Sequence, residues 1–131
     1  VERNLREKEF PPAVIAATLQ RLAENHYLDD AEFARYWLEN RSRFRPRSAM
    51  AIRQELRQKG VDREAIDDAL TGMDDDAAAW DAALTRLDRL RNLPEDEFAH
   101  KLTAFLARRG FDYQTARRTV QQAREYLQES E

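Results

Sequence analysis

Between residues 52 and 70 the hydrophobic positions fall into two short helical series separated by a glycine. Ile52 and Leu56 stand four apart, Gly60 and Val61 follow, and a second series begins at Ile66 and Leu70. Four-residue spacing sets Ile52 and Leu56 on one helix face. Gly60 can turn left-handed at little steric cost, and Val61 is then expected to pack back on Leu56, three positions before the cap. Asp62 is expected to cap the second helix. The same spacing returns downstream as Leu106, Gly110, Phe111, Asp112, Ala116 and Val120, and upstream as Leu5, Phe10, Ile15 and Leu19. In the upstream copy Pro11 and Pro12 open the helix, and Glu9 replaces the glycine, so that turn is expected to be built differently. A period near fifty residues predicts a helical repeat.

The expected fold is therefore all-α: tandem three-helix, helix-turn-helix-like repeats that form an elongated curved array. Residues 1–28 read as the last two helices of a first repeat, with Val14, Ile15, Leu19 and Leu22 as its apolar face and Asn25-His26 as its stop. Residues 29–73 form the second repeat. It opens on Asp29 with Glu32 three positions on, a helix-start signature, and Phe33, Ala34, Trp37 and Leu38 supply a broad buried face. Residues 74–131 form the third. There Asp74-Asp75-Asp76 is better explained by the attraction of a helix N-terminus for negative charge than by a metal site. Its leading helix holds Trp80, Ala83, Leu84, Leu87 and Leu90, its middle helix Phe98, Leu102, Phe105 and Leu106. A last seam, Tyr113, Ala116, Val120, Ala123 and Leu127, should face another element. All four prolines fit helix starts, where the missing N–H does no harm. Units this small bury little alone, so neighbours should stack. Val1 is not a natural initiator and the first copy lacks a leading helix, so the chain is expected to be a piece of a longer protein.

Charge adds a local feature. The 22 lysines and arginines against 25 acids leave a formal charge of −3, so any polyanion contact must come from asymmetry within the chain. Arg41, Arg43, Arg45 and Arg47 alternate through Arg41-Ser42-Arg43-Phe44-Arg45-Pro46-Arg47-Ser48. With Arg53, Arg57 and Lys59 they set seven bases against one acid, Glu55, between residues 41 and 59. Such density is a footprint for phosphate or for an acidic protein surface, and the planar arginine fork grips either one. Arg108, Arg109, Arg117 and Arg118 form a lesser basic patch around Gly110. The competing reading of both groups is a solvated surface whose arginines pair with the abundant acids. No cysteine is present, which excludes disulfides and thiol catalysis. His26 and His100 are the only histidines, with no spaced metal-ligand set and no glycine-rich phosphate loop. The expectation is a protein that is not an enzyme and that takes no cofactor or metal. No apolar run reaches membrane-spanning length.

The set Leu28-Asp29-Asp30-Ala31-Glu32-Phe33-Ala34, Arg41 and Gln54-Glu55-Leu56-Arg57-Gln58-Lys59-Gly60-Val61 resembles the most characteristic region of the RecX regulatory proteins. The resemblance covers the second repeat strongly and the flanking ones by position. It departs at His26 and near Phe44-Arg45, where the family commonly has glycine, and at Met50-Ala51, where it is often basic. The resemblance implies a bacterial, cytoplasmic modulator of the RecA recombinase, expected to be a monomer. It would bind RecA and single-stranded DNA, with double-stranded DNA a second candidate, and lie along the groove of the RecA filament. There it would suppress ATP hydrolysis and strand exchange, by blocking filament growth or promoting disassembly. Two alternatives stand beside it: a helix-turn-helix regulator that reads duplex DNA without RecA, and a purely protein-binding helical scaffold. Against the first, no second helix carries at its start the Arg, Asn and Gln set that base reading favours.

Overall fold

A computed structural model of the protein describes residues 12–130, apart from the side chains of Pro12 and Ile15. Within that span it is seven helices with no strand: α1 (Pro12–Phe44), α2 (Ala49–Gln58), α3 (Arg63–Leu70), α4 (Asp75–Leu84), α5 (Leu87–Leu90), α6 (Glu95–Arg108) and α7 (Tyr113–Glu129). Tandem helical repeats are thus the architecture. The leading segment of each later repeat lies against its third helix, the C-terminal half of α1 against α3 and α4 against α7.

The two tight turns repeat each other. Val61 N donates to Leu56 O and Phe111 N to Leu106 O, both at 3.1 Å, while Gly60 N donates to Arg57 O and Gly110 N to Ala107 O, both at 3.0 Å. This paired closure satisfies carbonyls that a helix end leaves free, and it requires the left-handed glycine, φ +82° at Gly60 and +92° at Gly110. Leu56 and Leu106 are both wholly buried. The third expected counterpart, Leu5, lies with Glu9, Phe10 and Pro11 outside the described residues.

Two cores follow. Ala34, Ile52, Leu56, Val61, Ala65, Ile66 and Leu70 pack together with Trp37 and Leu38 at their edge. Phe98, Leu102, Phe105, Leu106, Phe111, Ala116, Val120 and Ala123 pack with three alanines of α4, whose small side chains let α4 approach α7 closely.

Several expectations fail for physical reasons. The helix does not stop at Asn25-His26, because no glycine or proline interrupts the chain between Pro12 and Pro46, and α1 runs through both residues. Asp29 accordingly starts nothing. Val14 and Leu22 are exposed and Leu19 is half-buried, so among the described residues little covers the apolar face expected at residues 14–22. Phe33, Leu84 and Tyr113, expected inside, are exposed at the ends or outer faces of their helices. Pro46 lies two residues ahead of the α2 cap, Ser48, rather than at a helix start. The leading helix of the third repeat breaks between α4 and α5, where Thr85 Oγ1 donates to Ala82 O at 2.6 Å and competes with the regular helical bond.

Caps are also redistributed. Asp112 caps α7 by accepting from Thr115 N, but Asp62, at the same place before α3, makes no side-chain cap. Its own N–H instead donates to Asp30 Oδ2 of α1 at 2.8 Å. Tyr27, one turn earlier, donates its hydroxyl to Asp68, and that bond pushes its pKa up to about 12.

Candidate interface at the junction of two repeats

The arginine run occupies the end of α1 and the short connection to α2. Arg41 and Arg43 lie in the last turn of α1, where cations favour the carbonyl end of the helix. Pro46 disfavours continuation of the helix through the residue before it. Ser48 then caps α2 by accepting from Ala51 N at 3.1 Å.

Glu55 gathers this segment. Its carboxylate accepts from Trp37 Nε1 at 3.2 Å and from Arg41 Nε at 3.3 Å, and pairs with Arg41 Nη2 at 3.0 Å and Arg47 Nη1 at 2.9 Å. The guanidinium of Arg41 and the ammonium of Lys59 both sit 4.7 Å from the centre of the Trp37 ring. Cation–π attraction therefore holds both in place. Trp37 serves the charged surface as well as the core edge.

The second and third repeats meet here in reciprocal caps. Ser48 N donates to Arg109 O at 3.1 Å and Arg47 Nη2 to Arg108 O at 3.4 Å, so the connection closes the end of α6. In return Asp75 Oδ1, on α4, accepts from Ala49 N at 2.9 Å and closes the start of α2. Asp74 caps α4 by accepting from Asp76 N and Ala77 N, and Asp76 pairs with Arg118. The acidic triplet is thus engaged in helix starts and ion pairs.

These contacts bring Arg45, Arg47, Arg86, Arg108 and Arg109 together. Burial, followed by the repulsion of the other four guanidiniums, pulls Arg109 below the usual arginine range. Arg86 and Arg109 bracket Phe105, their guanidinium carbons 4.8 and 5.0 Å from its ring centre. With Phe44, Pro46 and Thr85 they line a notch of about 170 Å³. Arg89 and Lys101 extend the basic surface beyond Phe105.

The expected sites are therefore divided. Arg41, Arg45 and Arg47 share a surface with Arg108 and Arg109, and Lys59 joins it through Trp37. Arg43 is exposed, 5.9 Å from the Phe44 ring. Arg53 is paired with Asp67, and together with Arg57 it lines a separate groove between α2 and α3. Arg117 and Arg118 flank another groove beside α7 and do not join Arg108 and Arg109. Sequence reasoning missed Arg86, which lies at the α4–α5 break and lines the notch, and Glu55, which read as the lone acid of a basic stretch.

The sequence family described as "RecX, second three-helix domain" matches residues 29–70. The chain is 38% identical over 120 residues to the Regulatory protein RecX of Chlorobium phaeobacteroides strain BS1, covering 91% of this chain and 78% of that protein. The chain belongs to the RecX family of regulatory proteins. The RecX of Thermobifida fusca strain YX is 36% identical over 121 residues, covering 90% of this chain and 65% of that one. A solved structure titled "Crystal structure of regulatory protein RecX" superposes with a TM-score of 0.60 at 28% identity, covering 90% of this chain and 60% of that one. The RecX relationship joins the repeat fold to a regulatory role. Among the described residues no helix is long and apolar enough to cross a membrane.

Proposed function

We propose that this RecX-family chain binds the RecA filament, the DNA it carries, or both, and lowers RecA-dependent ATP hydrolysis and strand exchange, so modulating recombination and repair. The basic surface at the junction of the second and third repeats carries this reading. Its guanidiniums converge from the α1–α2 connection, the α4–α5 break and the end of α6, as a polyanionic or acidic filament surface requires. The repeat boundaries that go with it are 1–28, 29–73 and 74–131, and the family match over 29–70 supports the middle one. On this reading the protein works in the cytoplasm as a monomer with no reaction of its own, and any change in ATP turnover takes place at RecA's site. The test is RecA-dependent ATP hydrolysis on single-stranded DNA, titrated with the parent and with a variant carrying Glu at Arg41, Arg43, Arg45 and Arg47. The parent is expected to inhibit and the variant to lose inhibition. No inhibition by the parent contradicts the function, and equal inhibition by both removes the arginine run from it.

A second reading has one observation in its favour. Contrary to the sequence expectation that no second helix carries a base-reading set at its start, Tyr113, Gln114, Arg117 and Gln121 are exposed along the first turns of α7, a row able to contact base edges in a duplex groove. Its mark would be sequence-dependent duplex binding without RecA, abolished by Arg117→Ala and retained by Arg45→Ala.

A further inference from the structure

We infer that the notch at the repeat junction seats one unpaired nucleotide of a single-stranded nucleic acid, its base against Phe44 and its phosphates among Arg45, Arg86 and Arg109. The inference takes its setting from the regulatory reading above and names the partner that the junction meets. Three features of the molecule converge on it.

The first is uncompensated charge. Arg41 and Arg47 share Glu55, Arg53 has Asp67 and Arg118 has Asp76. Arg45, Arg86, Arg108 and Arg109 have no carboxylate within ion-pair distance among the described residues. Burial, and then the repulsion of its neighbouring guanidiniums, lowers the proton affinity of Arg109. An anion entering this space relieves the repulsion.

The second is an exposed ring. Phe44 is 68% exposed at the mouth of the notch, beside buried Pro46. Carboxylates alone would satisfy the arginines and leave that ring in water. A nucleotide brings both a phosphate and a flat aromatic face, the pairing that single-strand binders use. The third is shape. The notch encloses only about 170 Å³, and Phe105 within it is already covered by Arg86 and Arg109. One planar group fits where a stacked pair of bases would not, so the strand must be unpaired there. Since the lining comes from the α1–α2 connection, the α4–α5 break and α6, neither repeat holds the seat alone.

The experiment measures binding of the full chain to fluorescent oligothymidylate in the absence of RecA, with inorganic polyphosphate as a second ligand. Phe44→Ala removes an exposed ring, and circular dichroism should show an unchanged fold. It is expected to weaken oligothymidylate binding roughly fivefold to a hundredfold and to change polyphosphate binding less than about twofold. Arg86→Gln is expected to weaken both. Unchanged oligothymidylate affinity in Phe44→Ala, or an equal loss for polyphosphate, overturns the seat. Failure of the parent to inhibit RecA while these results hold removes the regulatory reading and leaves the seat standing. Loss of RecA inhibition by Phe44→Ala with normal oligothymidylate binding assigns the notch to a protein surface and overturns it.

Discussion

At Gly60 and Gly110 the backbone is equally left-handed, yet the two positions tolerate a side chain differently. A Cβ at Gly60 would meet nothing within 4 Å, whereas one at Gly110 would lie 2.6 Å from both Ala51 Cβ and Ser48 Oγ. Gly60→Ala should therefore cost about 1–2 kcal/mol, the backbone term alone. Gly110→Ala should cost more, because Ser48 and Ala51 belong to the neighbouring repeat and must move away. Urea unfolding of the two variants checks the order, and equal losses would deny the close approach. Leu56, wholly buried beneath its own turn, should cost about 2–5 kcal/mol when cut to alanine. These residues were legible because glycine and the apolar positions around it obey local rules. Asp30, Glu55 and Arg86 were not, since their partners lie in other elements: Asp30 holds the N–H of Asp62, Glu55 holds Trp37, and Arg86 covers Phe105.

Among the elements, α1 and α7 show what a periodic pattern can and cannot deliver. The hydrophobic spacing correctly predicted the α2–α3 and α6–α7 pairs, whose ends carry glycine. It placed a stop inside α1 where only Asn and His stood, and polar residues without glycine or proline do not break a helix that is otherwise well formed. The cap of α7 yields a pH prediction. The N–H of Thr115 stabilises the charged carboxylate of Asp112 and holds its pKa below the usual range. A depressed folded pKa gives stability that is present above the ordinary carboxylate value near 3.9 and is lost as pH falls through the folded value. The melting advantage of the parent over Asp112→Ala should thus be full at neutral pH and shrink on acidification. An advantage independent of pH would deny the charged cap. At the other end of the third repeat's partner, Glu55→Gln keeps the shape and removes the charge that Arg41 and Arg47 share. It should cost about 1–3 kcal/mol in thermal or urea unfolding.

Across the whole molecule, the connection between the second and third repeats differs from the one upstream. A continuous helix carries the chain into the second repeat, while Ser48, Arg47 and Asp75 tie the second to the third by capping each other's helix ends. The basic surface exists only because that junction forms, which is why a net charge of −3 conceals it. If the surface meets single-stranded DNA, binding should weaken with salt at a log–log slope near 0.7 per phosphate contacted. Affinity unchanged between low and moderate salt would remove the nucleic-acid component. Position should matter more than total charge, and this can be measured directly. RecA-dependent ATP hydrolysis on single-stranded DNA is followed with the parent, with Arg45→Glu plus Arg108→Glu at the junction, and with Arg21→Glu plus Arg35→Glu on the exposed face of α1. The account predicts that the junction pair abolishes inhibition and the α1 pair, with the same change in net charge, retains it. Equal effects of the two pairs would contradict it.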